Sequence, residues 1–479
     1  MNKSMVRYLL SKLLLIEASL MLIPVIVAFI YHEDMRVINS LVITIGMLVI
    51  IGLLGVAFKP KNYHVYTKEG LLIVALCWIL WSFFGALPFV LSGQIPSIID
   101  AFFEMVSGFT TTGATIVPDV AVLSHSLLFW RSFTHLIGGM GVLVFALAIM
   151  ENSKNSHLEV MRAEVPGPVF GKVVSKLKET AQILYVIYLS MFAILVVILM
   201  IAGMPAFDSV ITAMGCAGTG GFGVYNDSIA HYNSSLITNI VSIAVLLFGI
   251  NFNLYYFLLL RKFKAFFKDE ELRTYIGIVV IATALIWLNV SGLYPSTGKA
   301  LENSLFEVAN VMTTTGFGVT DLTVWPLFAQ VILLFLMFVG GSAGSTAGGI
   351  KVMRTLILTK IARNQVLSTL YPHRIMTIHI NEQPLDKEIQ HGVLKYLTLY
   401  VFLLLGLTLM LSLDNNNFMV VVSAATSTFN NIGPMLGTSQ TFAIFSPFSK
   451  LLMSFAMIAG RLEIYPMLLL FIPKTWSKY

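Results

Sequence analysis

The sequence predicts an all-α, polytopic membrane protein. Two N-terminal transmembrane helices are followed by four tandem repeats, each made of a helix, a short re-entrant helix and a second helix. Three observations lead to this fold class. Only 11% of the 479 residues are charged and 57% are hydrophobic, whereas soluble domains carry about 25% charged residues. Apolar stretches long enough to cross a bilayer recur along the chain, and short apolar segments that end in glycine-containing loops lie between them.

About ten segments have the roughly 20 apolar residues that a membrane-crossing helix needs. The first follows a basic stretch, residues 1–12, and no small-residue cleavage site comes after it, so we interpret it as a membrane helix and not as a signal peptide. The predicted spans cover residues 8–30, 38–58, 70–92, 127–150, 181–203, 235–260, 274–293, 327–362 (interrupted), 393–413 and 450–472. Four shorter apolar segments are better suited to re-entrant helices: 100–111, 208–218, 303–313 and 420–430.

The distribution of Lys and Arg predicts the orientation of these helices. With the N-terminus inside, 25 of the 30 basic residues fall in the cytoplasmic segments, as the positive-inside rule requires. We therefore expect a multi-pass membrane protein with both termini in the cytoplasm. The predicted cytoplasmic segments are 1–12, 59–68, 151–180, 261–273, 351–395 and 474–479.

Many of the acidic residues fall on the opposite side or in the re-entrant segments, among them Asp100, Glu104, Asp208, Glu307 and Asp321. Carboxylates gathered at an outer mouth would concentrate cations. The alternative is that they only keep the external loops soluble.

An internal repeat organises the chain. The frames Phe103–Gly113 and Phe306–Gly316 both begin with Phe-Glu and end with Thr-Thr-Thr-Gly, and weaker copies lie at 217–223 and 429–434. A glycine recurs 25–28 residues after each loop glycine, at Gly139, Gly249, Gly341 and Gly460. The alternative, a transporter bundle packed through small residues with chance Thr-Gly strings, requires two frames to match by coincidence. The predicted units are 1–68 (N-terminal helices) and the repeats 69–150, 151–262, 263–365 and 366–479.

The glycine loops have the composition of an ion path. Non-helical backbone is tolerated at membrane depth only where protein buries it or where it lines a water-filled cavity. Four such loops on one axis would present carbonyl oxygens that replace the hydration shell of a cation, with glycine reaching conformations closed to other residues. Asp100, Asp208 and Asn303 suit the starts of three re-entrant helices, whose C-terminal ends carry partial negative charge.

The four-glycine pattern resembles the superfamily of K+ transporters that comprises the Trk, Ktr and plant HKT proteins. The resemblance extends from about residue 70 to the end, and the N-terminal helix pair is similar to the bacterial Trk type. It implies a single-chain, pseudo-tetrameric, K+-selective pore that resembles a K+ channel. In the family, glycine at all four positions goes with K+ permeation, whereas serine at the first goes with Na+ transport. The fourth loop departs from the Thr-rich form, so we expect poorer fourfold symmetry there.

By this resemblance the selectivity filter, where K+ would bind to backbone carbonyls, consists of Thr110, Thr111, Thr112, Gly113 and Ala114; Gly218, Thr219, Gly220, Gly221 and Phe222; Thr313, Thr314, Thr315, Gly316 and Phe317; and Asn430, Asn431, Ile432 and Gly433, with Phe429 before them.

A small-residue run interrupts the eighth predicted span at 340–351. It fails as a phosphate-binding loop, because Ile350 separates Gly349 from Lys351. The run is either a flexible kink or close-packing patch, or, as the resemblance favours, an intramembrane loop under the filter that blocks permeation until it moves. The gate residues are Gly340, Gly341, Gly344, Ser345, Thr346, Gly348, Gly349, Lys351 and Arg461.

Arg461 is an intramembrane arginine, and such a residue is a functional hypothesis by default. We expect it to reach the pore below the filter, to hydrogen-bond loop carbonyls near residues 344–349 and to repel cations. The alternative is a structural role, in which it pairs with Glu463 or with a helix end. Arg131 and His135 are expected to anchor the packing of the pore.

The sequence thus predicts channel-like K+ uptake that is gated by the intramembrane loop, with K+ as the permeant ion and no cofactor. The resemblance also implies a homodimer and a cytosolic, nucleotide-binding, TrkA-like regulatory ring, docked on the basic segments 151–180, 261–273 and 351–395. A Ktr-like, Na+-stimulated subunit and an ion-coupled K+/H+ symporter remain alternatives, although coupled transporters of this kind show inverted repeats. An enzyme is disfavoured, because no CxxC motif or Cys/His cluster suggests a metal site, and the Gly-x-Ser-x-Gly string at 340–344 lies in a small-residue run without a preceding strand.

Overall fold

The computed structural model describes residues 1–63, 65–141, 177–371, 373 and 377–476. Within these ranges the chain is mostly helical, and its strands form one short hairpin. Six helices there are long and apolar enough to cross a membrane, or seven spans if one bent pair is counted. The predicted all-α membrane fold is confirmed. The last nine residues of the predicted span 127–150 and most of the basic segment 151–180 lie outside the described residues.

The elements are given in chain order. The N-terminal pair and the first repeat contain α1 (Lys3–Leu20), α2 (Leu22–Ile30), α3 (Met35–Ala57), α4 (Thr67–Ser92), α5 (Ile98–Phe109) and α6 (His125–Gly139). The second repeat contains α7 (Leu177–Ile201), α8 (Ala206–Gly218), α9 (Ser235–Phe248), α10 (Phe252–Leu259) and α11 (Phe263–Lys268). The third contains α12 (Glu270–Val290), α13 (Thr297–Met312), α14 (Leu327–Val339) and α15 (Val352–Leu370). The fourth contains β1 (His379–Ile380), β2 (Gln383–Pro384), α16 (Lys387–Leu411), α17 (Phe418–Asn430), α18 (Pro447–Arg461), α19 (Tyr465–Phe471) and α20 (Pro473–Trp476).

The long helices show the two faces expected in a bilayer. Large apolar side chains are exposed on their outward faces, such as Ile50 in α3 and Val280 in α12. Their inward faces bury large aromatic side chains, such as Trp78 and Trp81 in α4. Lipid accepts the outward faces as readily as a protein core does, so the polar groups that matter are those turned inward.

The short helices α5, α8, α13 and α17, here called the pore helices, occupy the four predicted re-entrant segments. Their predicted starts at Asp100, Asp208 and Asn303 are wrong, because each helix begins two to six residues earlier. Ser97 caps α5 by accepting a hydrogen bond from the backbone N–H of Asp100 at 3.3 Å. An acidic residue is also favourable inside the first turn, where it complements the helix dipole, so Asp100 was mistaken for the cap itself.

Two spans predicted to be continuous are interrupted instead. The span 235–260 consists of α9 and α10, which meet at an angle of 90°. The span 450–472 consists of α18 and α19, with Glu463 and Ile464 at positive φ between them. Pro466 stands in the first turn of α19, and the residue before a proline is disfavoured in a helix. In the first repeat α6 likewise ends at Gly139, within the predicted span 127–150.

These breaks occur at or next to the recurring glycines, because the second helix of each repeat touches the end of a pore helix there. A Cβ added at Gly460 would lie 1.9 Å from the carbonyl oxygen of Phe429, and one at Gly138 would lie 1.8 Å from that of Phe109. A Cβ added at Gly249 would have only the Tyr275 hydroxyl and the Thr313 methyl within 3 Å. Gly138 and Gly460 therefore let backbone pack against backbone below the loops, whereas side chains pack beside Gly249.

Candidate ion-conduction site

Four loops at the C-terminal ends of the pore helices, here called the glycine loops, follow the same backbone path. Two residues before each loop glycine, the chain adopts a left-handed conformation that is uncommon for residues other than glycine. These residues are Thr111, Thr219, Thr314 and Asn431, with φ of 55°, 53°, 56° and 58°. The loop glycines follow with φ of 78° (Gly113), 74° (Gly221), 84° (Gly316) and 109° (Gly433).

The same hydrogen bond closes every pore helix. The residue before the loop glycine donates its N–H to the carbonyl five residues earlier, at 2.8 or 2.9 Å. The four pairs are Thr112 with Ser107, Gly220 with Gly215, Thr315 with Asn310, and Ile432 with Ser427. Four repeats with three different loop sequences thus share one backbone geometry, which identifies the fourfold repeat at the level of structure.

The loops also meet one another in a closed ring. A Cβ added at Gly113 would lie 1.9 Å from the carbonyl oxygen of Gly220 in the second loop. One at Gly221 would lie 2.0 Å from that of Thr315 in the third loop, and one at Gly316 would lie 2.2 Å from that of Ile432 in the fourth. One at Gly433 would lie 2.7 Å from that of Thr112, back in the first loop. Each glycine therefore faces the next loop in order around one axis, and any side chain there would strike backbone.

The fourth loop departs from the other three. Gly433 has the largest φ and the widest gap to its neighbouring loop. Asn431 replaces the threonine found at this position in the other loops, and its amide donates to the Thr112 hydroxyl and to the Met457 carbonyl, both at 2.9 Å. The amide thus ties the fourth loop to the first through a side chain.

Threonine hydroxyls stiffen the first and third loops. The hydroxyls of Thr110 and Thr112 lie 2.7 Å apart, and those of Thr313 and Thr315 have the same separation. Thr110 also donates to the carbonyl of Val106 at 2.7 Å. These hydroxyls are used to hold the loop backbone, and all four threonines are fully buried.

The carboxylates of the two Phe-Glu pairs are buried and not displayed at an outer mouth. Glu104 is 0% exposed and accepts from the N–H of Ile116 at 2.9 Å, three residues after its loop glycine. Glu307 accepts from Val319 at 3.2 Å in the equivalent place. In the fourth repeat the hydroxyl of Ser423 accepts from Leu436 at 2.9 Å. Each of these hydrogen bonds holds the segment that follows a glycine loop against the pore helix of the same repeat.

The role of Ser423 was not predicted from the sequence. The repeat aligns Ala424 with the two glutamates, and Ser423 stands one position earlier. A polar residue within the apolar run 420–425 was the available signal.

Arg131 and His135 in α6 support the first two loops from behind, as expected. The Arg131 guanidinium pairs with Glu104 at 2.6 Å, where both side chains are almost fully buried, and lies 3.3 Å from the centre of the Phe222 ring. The His135 Nδ1 lies 2.8 Å from the Gly108 carbonyl, and its ring packs on Phe222 at 4.2 Å. The ring of Phe317 fills the space beside Gly215 in a similar way.

The segment 340–351, here called the intramembrane loop, is a closed structure. The N–H groups of Ile350 and Lys351 donate to the carbonyls of Phe338 and Val339 at 3.1 and 2.9 Å, so the loop begins and ends at one place. Gly340, Gly344, Gly349 and Lys351 adopt positive φ, between 70° and 81°. The segment thus folds back on itself, and most of its residues are buried.

The intramembrane loop contacts all four repeats beneath the glycine loops. Gly348 donates to the Thr314 hydroxyl at 2.6 Å, and Gly349 donates to the Asn430 carbonyl at 3.1 Å. Ser342 donates to the carbonyl of Gly249 at 3.0 Å, and Gly344 accepts from Phe252 at 3.0 Å. The Thr346 methyl lies 3.4 Å from a Cβ built on Gly139. The loop therefore lies against the ends of the third and fourth pore helices and against the ends of α6 and α9.

Two cationic side chains bind adjacent carbonyls of this loop. Arg461 donates to the Thr346 carbonyl at 2.7 Å, and the Lys351 ammonium donates to that of Ala347. Arg461 also donates to the carbonyls of Gly138 and Gly139, at 2.6 and 2.7 Å, at the end of α6. The structure thus brings Arg461 together with the loop carbonyls and also with a helix end. Glu463 pairs with Arg354 at 2.5 Å.

The outer carboxylates mostly serve the local structure. Asp100 pairs with Lys450 at 2.7 Å, and Asp208 accepts from the Tyr232 hydroxyl at 2.9 Å. Asp321 caps the short 3₁₀ turn that follows the third loop, and hydrogen bonds from Thr323 lower the pKa of that carboxyl below its usual value. Within the described residues, no cluster of His, Cys, Asp or Glu could hold a metal ion.

Four equivalent helix–loop–helix units around one axis, with half-membrane helices and extended loops at membrane depth, define a class of helical membrane transport proteins. A family model described as a cation transport protein, TrkH, matches residues 35–478. The chain therefore belongs to the TrkH family.

Individual relatives agree with this assignment over nearly the whole chain. The chain is 33% identical to the Trk system potassium uptake protein TrkH of Salmonella typhimurium, a match that covers 97% of this chain and 98% of that protein. It is 31% identical to the Trk system potassium uptake protein TrkG of Escherichia coli, with 95% of each covered. The crystal structure of the potassium transporter TrkH from Vibrio parahaemolyticus matches it with a TM-score of 0.89, at 30% identity and with 100% of both chains covered.

Proposed function

We propose that this protein takes up K+ by channel-like permeation through the opening that the four glycine loops surround. The observation that carries the proposal is the closed ring of contacts between the loops. Each loop glycine faces the carbonyl oxygen of the residue just before the glycine of the next loop. A ring of backbone carbonyls replaces the hydration shell of K+ without a full counter-charge. The names of the relatives, which are potassium uptake proteins, supply the choice of ion.

Exposure along the loops supports this path. Gly113, Gly221 and Gly316 are partly exposed, whereas the threonines before them and the residues after them are buried. An opening lined by glycine backbone and closed on either side by packed side chains suits a dehydrated cation. The membrane potential would drive entry, at about 2.3 kcal/mol per charge for each 100 mV.

The intramembrane loop is the proposed gate. It packs against the ends of the third and fourth pore helices, and its carbonyls bind the Arg461 and Lys351 side chains. Fixed positive charges close to the path repel a permeating cation, and the repulsion is strong where little water screens it. Opening would then require the loop to leave its contacts with Thr314 and Asn430.

We extend the proposal to assembly and location. The protein would lie in the bacterial inner membrane as a homodimer with both termini in the cytoplasm, under the control of a cytosolic, nucleotide-binding regulatory ring. An exposed basic surface supports a docking site for such a partner. It is formed by Arg261, Lys262, Lys264 and Lys268 at and around α11.

A K+/H+ symporter is the second candidate, and Glu17 is the observation that favours it. Its side chain is 0% exposed in α1, and both carboxylate oxygens lack a hydrogen-bond partner among the described residues. Ionisable groups buried in a membrane commonly mark proton relays. If an imposed pH gradient changes uptake and Glu17→Gln removes that dependence, symport is supported. Equal uptake with and without the pH gradient excludes symport. A separate measurement of K+ uptake with and without added Na+ tests the Ktr-like, Na+-stimulated alternative.

Growth of a bacterial strain that lacks K+ uptake tests the proposed function. The full-length protein, expressed with its cognate regulatory ring, should restore growth at low K+ and should accumulate Rb+. Failure to restore growth although the protein reaches the membrane would count against the proposal.

A further inference from the structure

Glu271 is a buried carboxylate beside the intramembrane loop. It lies in the first turn of α12 and is 1% exposed. One of its oxygens, Oε1, accepts from the backbone N–H of Ala343 at 2.6 Å and from that of Met353 at 3.1 Å. Ala343 lies near the start of the intramembrane loop, and Met353 lies two residues after its end, in the helix that follows. One carboxylate therefore joins the start of the loop to the helix that follows it.

The bonds depend on the conformation of the loop. Met353 is in the first turn of α15, where backbone N–H groups have no partner within the helix and favour a negative charge. Ala343 presents its amide only while the loop is folded back between α14 and α15. A loop that moved away would leave a buried carboxylate without donors, which is strongly unfavourable. Glu271 therefore stabilises the conformation seen here.

The two residues before Glu271 connect the same helix end to an exposed hairpin. Asn381, in the turn between β1 and β2, accepts from the N–H of Glu270 at 2.8 Å and donates its own N–H to the Glu270 carboxylate at 3.2 Å. Its amide group donates to Asp269 at 2.8 Å. Lys360 of α15 binds Glu270 and, at 2.7 Å, the carbonyl of His379. Three consecutive acidic residues thus contact the hairpin on one side and the loop on the other.

We propose that Glu271 is a positioning residue that latches the intramembrane loop in its blocking position, and that Asp269 and Glu270 couple the latch to the β1–β2 hairpin. Displacement of the hairpin then tilts the start of α12, withdraws Glu271 and frees the loop. This inference rests on the proposed function, because it takes the intramembrane loop as the barrier to K+.

Thiol labelling of the purified full-length protein tests the latch without relying on ion flux. Ser345→Cys places a reporter in the loop, where Ser345 is 6% exposed, and the native Cys77 and Cys216 are fully buried. A small thiol reagent should modify the reporter slowly when Glu271 is present. Glu271→Ala should raise the rate about tenfold or more, because losing a hydrogen bond to a charged acceptor shifts an equilibrium by at least about that factor.

Three further variants sharpen the test. Glu271→Gln keeps one acceptor oxygen and should label at an intermediate rate, and it preserves the side-chain shape if the alanine variant fails to fold. Asn381→Ala breaks the hairpin contacts and should raise the rate by a smaller factor, about two- to threefold. Glu302→Gln disrupts a partly exposed pair with Lys299 in α13 and should leave the rate unchanged.

The results separate the latch from the proposed function. Equal labelling in the Glu271 variants and the parent would overturn the latch, even if Rb+ uptake occurs. Equal labelling in Asn381→Ala would overturn the coupling to the hairpin. Faster labelling in the Glu271 variants, together with no Rb+ passage through any variant reconstituted with its regulatory ring, would support the latch and overturn conduction.

Discussion

The guanidinium of Arg461 donates a hydrogen bond of 2.7 Å to the carbonyl oxygen of Thr346. This contact joins the last residue of α18, in the fourth repeat, to the intramembrane loop of the third. The same guanidinium binds the end of α6 in the first repeat. One side chain thus fastens three repeats beneath the glycine loops, and its removal should affect closure more than folding.

Replacing Arg461 should open the barrier. In Arg461→Ala the loop loses its hydrogen bond at Thr346, and the inner side of the path loses a fixed positive charge. We expect Rb+ leak into proteoliposomes to rise by about tenfold or more, since one charge-assisted hydrogen bond corresponds to at least that factor. Arg461→Lys keeps the charge and should leak less. An unchanged leak in the alanine variant would remove Arg461 from the gate.

The ring contacts predict that a single methyl group blocks the path. In Gly316→Ala the new Cβ would lie 2.2 Å from the Ile432 carbonyl oxygen on a backbone with φ of 84°, so the third and fourth loops must separate. We expect Rb+ uptake to fall by about tenfold or more, because the separated carbonyls no longer surround the ion and a loss of about 1.4 kcal/mol in its binding corresponds to that factor. Gly318→Ala is the matched control, because no atom lies within 4 Å of its added Cβ. Equal uptake in the two variants would contradict a closed ring.

The buried pair of Glu104 and Arg131 should contribute to stability. Glu104→Gln leaves the guanidinium without its counter-charge, and breaking a buried pair in this way costs about 3–5 kcal/mol. We expect a large decrease in the Tm of the purified protein. Glu302→Gln removes the more exposed pair with Lys299 and should lower the Tm much less. Similar decreases for both variants would show that the Glu104 pair has no special role.

Ser423 should support the fourth loop in place of a glutamate. Ser423→Ala removes the acceptor of the Leu436 N–H, and a buried donor left unsatisfied costs about 1–3 kcal/mol. We expect a lower Tm than for Ser412→Ala, whose exposed hydroxyl donates to the Leu409 carbonyl at 2.7 Å. If Ser423→Ala is as stable as the control, the tie at Ser423 does not hold the loop.

The sequence predicted the glycine loops because their signal is local. A glycine at a fixed distance after a short apolar segment can be recognised in the sequence without knowledge of any tertiary contact. Four copies of that pattern then predict four loops around one axis. The break at Gly249 was not predicted, because mostly apolar residues continue on both sides of it. The chain changes direction there through a tertiary contact, in which the N–H of Phe252 donates to the carbonyl of Gly344, 92 residues later in the chain. Glu271 was also missed, because an acid in a basic cytoplasmic segment has the pattern of a solvated residue.

The selectivity of Rb+ over Na+ entry into proteoliposomes, for the parent and for Gly113→Ser, tests the central claim most directly. A side chain at Gly113 would press on the Gly220 carbonyl, 1.9 Å from the position of its Cβ. With the regulatory ring present, the parent should pass Rb+ and exclude Na+, and Gly113→Ser should lose that discrimination. The same preference for Rb+ in both proteins would contradict the account, because Gly113 would then not line the path.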